Sequence, residues 1–562
     1  MNRFNLIDEP WVRVLTDNDG STELVSLRDL LENAQNYISL AGDSVTQDFA
    51  VFRVILSVLH TVFSRFNSEG KVYDSITLDE CLLPVNEIDE DDIDEYIDDL
   101  LDTWEELWKK EELPEVVFEY LDKWHDRFYL FSDDHPFFQV NVENISSDKL
   151  SKPNPTLVSG KNINRLISES DNKIALFSPK YAAGKNKEIL NEDEVARWLL
   201  TFQGYSGLSD KVIFGNEKYK ASKGWIFDIG GVLIQGENLL QSLLLNLVLV
   251  HPDDSYWGYS QKPCWESLSS ERIQRSFENP RPDNLAELYT NWSRAIHIEP
   301  ETDINKPFSI NIVKLPDLDH QNQFLEPMTI WRFNSSGENA NMFTPKKHQM
   351  NQSMWRSFGL LTRNNSLAEG QRRPALLDWL EKWEKTVGDI EISLKAVSMQ
   401  DDGNATSWVP AGQIFDVLNI NNYVLNDVKV EGWIPRINDA IDLTKNTIEK
   451  TYKIFISDIK DIRQISSSDF VSNHIEEMYF LVDEPFKLWI RSLRAEQNKE
   501  ERVGDWQNTL FDLLDRQAES VLSGAGTRDY RGISVDKKHE KGIKNIVTVY
   551  NTFKYFLYKD LK

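Results

Sequence analysis

The sequence predicts an α+β fold, with a large, irregular mixed α/β domain at the N-terminus followed by a C-terminal four-helix bundle. Over residues 1–422, short alternating patterns typical of strands mix with amphipathic helical patterns and with loops rich in Gly, Pro, Asn and Ser. Over residues 423–562, apolar residues recur at helical spacing in four long stretches joined by short links. We therefore expect a domain boundary at residues 422/423.

The beginning of the chain predicts a hairpin followed by two helices. Phe4 to Leu15 alternates like a strand, and a turn at Asn18 to Gly20 leads into a second short strand. Ser26 is a suitable N-cap for a short helix. A longer apolar helix is expected from about Asp48 to Phe66.

A strongly acidic helix comes next. Residues Asp79 to Glu115 contain 17 Asp and Glu against two Lys, with apolar residues at helical spacing. We expect its acidic face to be solvated and to point away from any nucleic acid. A second helix, Leu113 to Phe128, leads into the aromatic motif HPFFQ at His135 to Gln139.

One span of the chain is basic although the whole chain is acidic. Lys149 to Lys187 contains eight Lys and Arg against two acids, whereas the formal net charge of the chain is −29. Asn, Ser, Gly and Pro fill the gaps, which predicts an exposed loop. A localised basic loop in an acidic protein indicates a polyanionic partner.

A glycine-containing turn follows a helix predicted from Asp193 to Phe202. Glycine lets the main chain approach a phosphate or a groove edge without a side chain in the way. The segment contains no GxxxxGK[ST] or GxGxxG motif, so it does not predict a nucleotide site. Its glycines and lysines are Gly204, Gly207, Gly215, Lys211, Lys218, Lys220 and Lys223.

The middle of the chain predicts packed elements separated by irregular segments. Asn238 is expected to cap a buried helix that ends at His251, and Tyr256 to Pro280 is expected to be irregular. Further packed elements are predicted at Ala286 to Ile298, Ser309 to Lys314 and Leu376 to Trp383.

A second basic segment and a polar turn complete the predicted N-terminal domain. Thr344 to Arg373 contains six Lys and Arg against one acid. Ile390 to Val397 predicts a strand, and the polar stretch MQDDGNAT (Met399 to Thr406) predicts a loop tip.

Four helices are predicted after about Asp427. The first is marked by apolar residues from Ile434 to Phe455, and the second runs from Phe470 to Leu493 with a bend expected at Pro485. The third and fourth are predicted at Val503 to Leu522 and Ile543 to Leu557.

Composition excludes several classes of protein. With two Cys residues, no thiol-rich metal site and no disulfide framework are expected, and no cofactor is predicted. We expect no secretion signal and no membrane span, and therefore a cytoplasmic protein. The negative charge argues against free-standing nucleic-acid binding but allows binding through a local patch, especially beside partner subunits.

Two enzymatic alternatives remain open from the residues alone. His60 with the dipeptide His125-Asp126 suits a metal-dependent phosphohydrolase of the HD type, which needs three or four N and O ligands on one or two ions. The 17 Trp residues and many carboxylates would suit a carbohydrate-active enzyme. Most of these Trp occupy apolar helical positions, which favours core packing.

Four features follow one another along the chain: FNLIDEPWVRV (Phe4 to Val14), HPFFQ, the segment SESDNKIALFS (Ser168 to Ser178) and the C-terminal helices. In these features and their order the chain resembles the CasA family, the large subunit of the type I-E CRISPR Cascade surveillance complex. The resemblance covers most of the chain, with a looser match in the middle. HPFFQ after a Phe-Tyr-Leu-Phe run is the more specific signal.

The resemblance implies an antiviral-defence protein that is not an enzyme. It implies binding to other Cascade subunits, to the 5′ handle of the guide RNA and to double-stranded target DNA. It further implies recognition of the protospacer-adjacent motif, duplex opening and recruitment of a separate helicase–nuclease. Such a protein needs to read only a short motif and DNA shape, because base pairing with the guide supplies sequence discrimination.

The resemblance also implies site residues. The glycine loop of the family corresponds to Gly204 to Lys211, including Ser206 and Gly207, and its lysine finger lies near Lys314. Its wedge corresponds to Met399 to Thr406, where Gln400 or Asn404 takes the inserting role beside Asp401 and Asp402. From charge, Lys346 and Lys347 are expected to contact DNA of any sequence. The RNA-handle loop matches Phe177 to Asn191, with Phe177, Ser178, Lys180 and Lys185 as the expected contacts. The paired cysteines of some relatives are absent, so no zinc is implied.

Overall fold

A computed structural model describes residues 2–167, 188–208, 212–256, 260–362, 370–403, 408–537 and 540–562. The described chain forms two compact units. The first comprises residues 1–352, 363–387 and 392–417, and the second comprises residues 353–362, 388–391 and 418–562. The longest segment of the second unit begins at Leu418, and two short segments of the same unit precede the predicted boundary at 422/423.

The α-helices of the described residues are α1 (Leu27–Glu32), α2 (Val45–Phe63), α3 (Ile93–Lys110), α4 (Val116–Lys123), α5 (Glu192–Tyr205), α6 (Leu239–Leu245), α7 (Ser269–Glu278), α8 (Leu285–Tyr289), α9 (Gly359–Thr362), α10 (Ala375–Lys382), α11 (Glu384–Val387), α12 (Asn422–Asn426), α13 (Trp433–Asn446), α14 (Lys453–Arg463), α15 (Asp469–Arg491), α16 (Lys499–Ser523), α17 (Thr527–Arg531) and α18 (Ile546–Leu561).

The strands are β1 (Arg3–Asn5), β2 (Val12–Leu15), β3 (Thr22–Val25), β4 (Ser39–Leu40), β5 (Tyr129–Phe131), β6 (Thr156–Ser159), β7 (Gly231–Gln235), β8 (Arg294–His297), β9 (Ser309–Lys314), β10 (Ile330–Phe333), β11 (Phe343–Lys346), β12 (Gln371–Arg372), β13 (Glu391–Asp401), β14 (Pro410–Asn421), β15 (Ile533–Lys537) and β16 (Glu540–Lys544). They form small sheets with the orders β3-β2-β4, β1-β5, β6-β9-β8, β14-β13-β7, β11-β10-β12 and β15-β16. The predicted fold class, an irregular mixture of helices and strands followed by a helical bundle, is confirmed.

The core of the first unit is built around α2. This helix is long and apolar enough to cross a membrane, but 89% of its apolar window is buried inside the protein. It packs against α5 and α8. Arg53 of α2 donates to both carboxylate oxygens of Glu326 at 2.8 and 2.7 Å, and the Glu326 carboxylate also accepts from Trp225 Nε1 at 2.7 Å. A fully satisfied buried ion pair of this kind links α2 to the chain between β9 and β10.

The prediction of one continuous strand from Phe4 to Leu15 is wrong. The chain turns between Leu6 and Pro10, so β1 pairs with β5 whereas β2 pairs with β3 and β4. The turn is held by Trp11, whose Nε1 donates to Leu6 O at 2.8 Å. Residues that alternate along one strand pattern therefore lie in two separate sheets.

The HPFFQ motif is a core element. Phe137 and Phe138 are buried, and the Phe137 ring stacks on Phe128 with 5.1 Å between ring centroids. Gln139 Nε2 donates to Leu130 O at 2.7 Å, and Gln139 Oε1 accepts from Ile298 N at 3.1 Å. The buried amide satisfies backbone groups on two sides, so the motif has a structural role in joining β5 to the end of β8.

Several helix boundaries differ from the prediction because side chains cap them. Ser44 caps α2, which therefore begins before Asp48. Asn246 ends α6 well before His251, because its amide exchanges hydrogen bonds with the backbone of Ile234. The stretch from Tyr256 to Pro280, predicted to be irregular, contains α7.

The second unit is the helical bundle. Its first helix is continuous from α13 through a π-helical segment, Thr447–Tyr452, into α14. Pro485 lies inside the uninterrupted α15. The fourth long helix begins at Ile546 and not at Ile543, because β15 and β16 form a hairpin before it and Asn545 caps it. In the bundle core the Phe486 ring packs between Trp355 and Trp506, at centroid distances of 4.3 and 4.6 Å.

Candidate nucleic-acid interface

The β13–β14 hairpin carries the predicted wedge. Near its end, Asp402 N donates to Val409 O at 3.0 Å, and Asp402 Oδ1 accepts from Val409 N at 3.3 Å. Asp401 Oδ1 accepts from Gly403 N at 3.0 Å. Trp408 has a φ of +43°, which is uncommon for a residue with a Cβ. The two aspartates of the wedge are therefore occupied in holding the hairpin end, which explains how they are tolerated there.

Gly207 lies directly against this hairpin end. A Cβ at Gly207 would lie 2.1 Å from Trp408 O and 2.8 Å from Val409 Cα. On the other side, Gly207 O accepts from Nη2 of the buried Arg294 at 2.7 Å, and Arg294 Nη1 donates to Ser222 O at 2.5 Å. Glycine is required at residue 207 because the backbone of the hairpin occupies the space of any side chain.

The remaining glycine-turn residues are also packed inside the first unit. Gly204 lies in the last turn of α5, and a Cβ there would be 2.3 Å from Ile226 Cδ1. Ser206 is buried, its O accepts from Gly224 N at 2.9 Å, and its hydroxyl lies 3.2 Å from the Ser293 hydroxyl. Gly204 and Gly207, expected to let the main chain approach a phosphate or a groove edge, are instead occupied by close packing against Ile226 and the hairpin backbone.

A cluster of charged side chains packs against the end of the β13–β14 hairpin. At its centre, the Asp228 carboxylate lies 2.6 Å from Lys223 Nζ, 3.2 Å from His320 Nε2 and 3.8 Å from Lys347 Nζ. Lys347 Nζ also lies 3.3 Å from Asp401 Oδ2 at the hairpin end. These five side chains are mostly buried, and we call them the Asp228 cluster.

Aromatic rings cover the two lysines of the Asp228 cluster. Lys347 Nζ lies 3.9 Å from the centroid of the Phe227 ring, and Lys223 Nζ lies 5.5 Å from the Trp408 ring. Such cation–π contacts hold an ammonium group in place while leaving part of it exposed. The hairpin residue Trp408 therefore lies between Gly207 and a fixed lysine.

The cluster shifts the pKa values of its members. Burial raises the pKa of the Asp228 carboxyl, but contact with His320 and the charges of Lys223 and Lys347 outweigh burial and hold it well below its ordinary value. Burial lowers the pKa of His320, but the Asp228 and Asp317 carboxylates outweigh this effect and raise it. The arrangement favours a protonated His320 beside an ionised Asp228, and this ion pair fixes the positions of the two side chains.

The structure also locates three other predicted DNA contacts: Lys346, Gln400 and Lys314. Lys346 ends β11 and is half-buried, which lowers its pKa. Gln400 lies in β13 and not in a loop, and its Oε1 would be 3.3 Å from a Cβ at Gly412 in the neighbouring strand. Lys314 is 5% exposed in β9, so its side chain is not a surface finger in this structure. Lys211, Asn404, Phe177, Ser178, Lys180 and Lys185 lie outside the described residues.

The family model for CRISPR-associated protein Cse1 matches residues 5–517 of this chain. The chain belongs to the Cse1 family. A curated CasA/Cse1 protein from Thermus thermophilus is 28% identical over 271 residues, which is 47% of this chain and 42% of that protein. The matched region thus spans less than half the length of this relative.

Solved structures of Cse1 proteins share the fold. The structure of Thermobifida fusca Cse1 matches with a TM-score of 0.78 at 22% identity, covering 99% of this chain and 98% of that chain. Cse1 from Acidimicrobium ferrooxidans matches with a TM-score of 0.71 at 19% identity, covering 100% and 98% of the two chains. A chain from a CRISPR RNA-guided surveillance complex matches with a TM-score of 0.62 at 14% identity, covering 99% and 100%. At these identities the likeness shows the fold alone.

The predicted ligands of the metal-hydrolase alternative do not form a metal site. His60 is buried in α2 with its ring 5.7 Å from the Tyr289 ring, and burial lowers its pKa to about 3. His125 Nε2 lies 2.7 Å from Asp8 Oδ2. In the ranges that the structure describes, no group of three His, Cys, Asp or Glu side chains is placed to hold a metal ion.

The carbohydrate-active alternative loses its main support. Fourteen of the 16 Trp residues in the described ranges are buried, as expected from their apolar helical positions. Buried rings cannot act as sugar-binding platforms, so the Trp content reflects core packing.

Asp228, His320 and Trp408 could not be identified as site residues from the sequence. Asp228 and His320 are far apart in the sequence and belong to no recognisable motif. Trp408 lies two residues beyond the polar stretch that was singled out. Its apolar character beside a polar turn was the available signal.

Proposed function

We propose that this chain is the large subunit of an RNA-guided CRISPR surveillance complex, which assembles with the other Cascade subunits and the guide RNA. Membership of the Cse1 family supports this assignment, as does the fold shared with a chain of such a complex. The subunit acts by binding and not by catalysis, in a cytoplasmic complex. No step of this function requires a metal or an organic cofactor.

The surface around the β13–β14 hairpin binds double-stranded target DNA. The observation that carries this proposal is the contact between the hairpin and the lysine-bearing Asp228 cluster, through Lys347 and Asp401 at 3.3 Å. A hairpin whose strands are fixed on a packed base can be presented to a groove of the duplex. Lys223, Lys346 and Lys347 lie at its base, where ammonium groups can meet phosphates.

The hairpin recognises the protospacer-adjacent motif and helps to open the duplex. Gln400 or Asn404 is the inserting residue. Gly207 acts in this process by letting the hairpin end lie close to α5, so its contribution to DNA binding passes through Trp408. The exposed Lys220 takes the role of the lysine finger that was predicted near Lys314. Its Nζ lies 3.1 Å from Asp317 Oδ2.

Two further contacts complete the proposed function. The segment from Phe177 to Asn191 binds the 5′ handle of the guide RNA, with Phe177 stacking on a splayed base while Ser178, Lys180 and Lys185 contact the backbone. A separate helicase–nuclease is recruited once the duplex is open. Both roles follow from the likeness to the family.

Reconstitution tests the proposal. Alone, the chain has a charge of −29 and should bind duplex DNA weakly, whereas the assembled complex with guide RNA should bind motif-bearing duplex tightly. The measurement is a mobility shift at ~150 mM salt, with and without the motif, and with and without this subunit. Nanomolar, motif-specific binding by the isolated chain, a range typical of self-sufficient binders, would contradict the proposal. Equal binding by complexes with and without the subunit would also contradict it.

A further inference from the structure

The first unit contains a cavity of about 150 Å³ away from the Asp228 cluster. It lies between the first turns of α2 and one face of the β7–β13 strand pair, with Phe415 of β14 at its edge. Most of its wall is apolar, including the rings of Phe49 and Phe52. The Phe415 ring is 46% exposed, so the cavity opens to solvent at this side.

A lysine lies in this mostly apolar wall. Lys395 lies opposite Leu233 in the β7–β13 register, whereas their neighbours Leu394 and Ile234 face the other side and are fully buried. Among the described residues, Lys395 has no hydrogen bond and no direct ion pair. Burial lowers its pKa, and the charge of Asp48 opposes this effect. An apolar side chain would pack here without that desolvation cost, so the lysine requires another explanation.

Two acceptors share the cavity with Lys395. The Asp48 carboxyl accepts from Gly42 N at 2.8 Å through Oδ1, and burial raises its pKa to about 6, with Lys395, Asp43 and Arg197 as the other charges acting on it. Gln235 Oε1 is buried, and it has no hydrogen-bond partner among the described residues. The cavity therefore offers one cationic donor and two acceptors within an aromatic wall.

Size and charge restrict the ligand. A cavity of about 150 Å³ accommodates a single six-membered ring such as benzene. The lysine and the carboxylate together favour a ligand without net charge, which argues against a phosphate or a sulfate. A neutral ring with adjacent carbonyl and N–H groups satisfies all three polar side chains.

We propose that this cavity binds one unpaired pyrimidine base of a single-stranded nucleic acid. Lys395 donates to a ring carbonyl oxygen, Asp48 or Gln235 accepts from a ring or exocyclic N–H, and Phe415 stacks at the mouth. A purine is excluded because its second ring exceeds the volume. This assignment of the ligand rests on the proposed function, because opening a duplex supplies unpaired bases.

The test uses the full chain and fluorescein-labelled (dT)8, (dC)8, (dA)8 and an abasic octamer, with fluorescence anisotropy as the measurement. We expect the two pyrimidine octamers to bind more tightly than (dA)8 and the abasic strand. Lys395→Met should weaken pyrimidine binding by about tenfold or more, because a hydrogen bond to a charged group is lost. Phe415→Ala should weaken it by about fivefold or more through lost stacking.

A matched control separates the cavity from general charge effects. Lys382 is another partly buried lysine, whose pKa is lowered by burial and which lines a different cavity in the same unit. Lys382→Met should leave octamer binding unchanged. Lys395→Met should keep or raise the melting temperature, because it removes a desolvated charge, so a loss of binding cannot be attributed to misfolding.

Crosslinking locates the base. An octamer with one 5-iododeoxyuridine should crosslink to peptides from α2, β13 or β14. Equal affinity for all four octamers, equal losses for Lys395→Met and Lys382→Met, or crosslinks only to other segments would overturn the proposal. Motif-dependent duplex binding by the assembled wild-type complex is measured in parallel. If the complex binds motif-bearing duplex but the octamer test fails, only the base-binding cavity is refuted. If the complex does not bind motif-bearing duplex, the proposed function is refuted.

Discussion

Lys347 Nζ lies 3.3 Å from Asp401 Oδ2, and this contact joins the end of β11 to the end of the β13–β14 hairpin. Lys347 also lies 3.8 Å from Asp228 and over the Phe227 ring. A lysine from a basic segment therefore helps to place the hairpin, and its charge is partly balanced by Asp401 and Asp228. A substitution at Lys347 or Asp401 therefore changes both the position of the hairpin and the local charge.

Asp401→Asn should strengthen binding of the assembled complex to duplex DNA of any sequence. The change removes a negative charge from the hairpin end and leaves Lys347 less neutralised, so one further phosphate contact becomes available. The plot of log affinity against log salt should steepen by up to about 0.9. Asp303→Asn is the matched control, since Asp303 also pairs with a lysine, Lys306, at 3.4 Å. A gain confined to motif-bearing DNA would contradict this prediction.

Lys346→Ala should weaken duplex binding equally with and without the motif. Lys346 belongs to the second basic segment and ends β11 beside the hairpin, where it is expected to meet the DNA backbone. The salt dependence should flatten by about 0.9 for one lost phosphate contact. Lys306→Ala removes an exposed lysine of the same unit and serves as the comparison. A Lys346→Ala effect that depends on the motif would assign this residue to base recognition.

Gly207→Ala should destabilise the first unit by about 1–3 kcal/mol, the range for overpacking. The new methyl group would lie 2.1 Å from Trp408 O, and backbone on that side cannot rotate away. Calorimetry of the isolated chain measures the effect on unfolding. Gly504→Ala is the control, because no atom lies within 4 Å of its Cβ position in α16. Alanine there should stabilise the helix by about 0.5–1 kcal/mol.

Gly207→Ala should also weaken the preference for the motif, since the displaced Trp408 belongs to the hairpin that we propose reads it. The measurement is the ratio of affinities for duplexes with and without the motif, after reconstitution. Unchanged stability with a changed ratio would instead indicate that DNA contacts Gly207 directly.

The ion pair between His320 and Asp228 predicts a pH dependence of stability. The pKa of His320 is raised by its carboxylate partners, so its contribution is complete below the ordinary value near 6.5 and is lost as pH rises through the raised pKa. The pKa of Asp228 is lowered, so its contribution is complete above about 4 and is lost as pH falls through the lowered value. The pair should therefore contribute most between about pH 4 and 6.5.

Chemical denaturation across pH 4 to 9 measures this contribution. His320→Gln should lower the free energy of unfolding near pH 6 and reduce its decline at higher pH. His125→Gln, which changes a histidine at the surface beside Asp8, is the control. A His320→Gln profile parallel to that of the unmodified protein would show that the histidine is neutral throughout.

Local patterns allowed the fold class to be predicted, because periodicity depends only on neighbouring residues. The apolar spacing from Ile434 to Phe455 predicted a bundle helix, which the structure shows as one continuous element. The hairpin before α18 escaped prediction, since β15 and β16 are short and polar and depend on each other for their hydrogen bonds.

The residue types alone indicated basic segments, a glycine-rich turn and a polar hairpin tip. The role of each depended on tertiary structure. Gly207 suggested an exposed approach to DNA, but the hairpin backbone occupies that space. Lys314 suggested a surface cation, yet its strand lies between β6 and β8 and buries it. Burial is a property of the neighbouring elements and cannot be inferred from a lysine and its sequence neighbours.

The sequence by itself determined the fold class, many of the helices and strands, and the resemblance to the family. Only the tertiary structure decided that Asp228, His320 and Lys347 share one charged cluster, and that Lys395 faces an aromatic cavity with Asp48. These residues are separated by tens to hundreds of positions in the chain. Their meeting depends on how helices and sheets pack across the core, and packing depends on shape and volume over the whole unit.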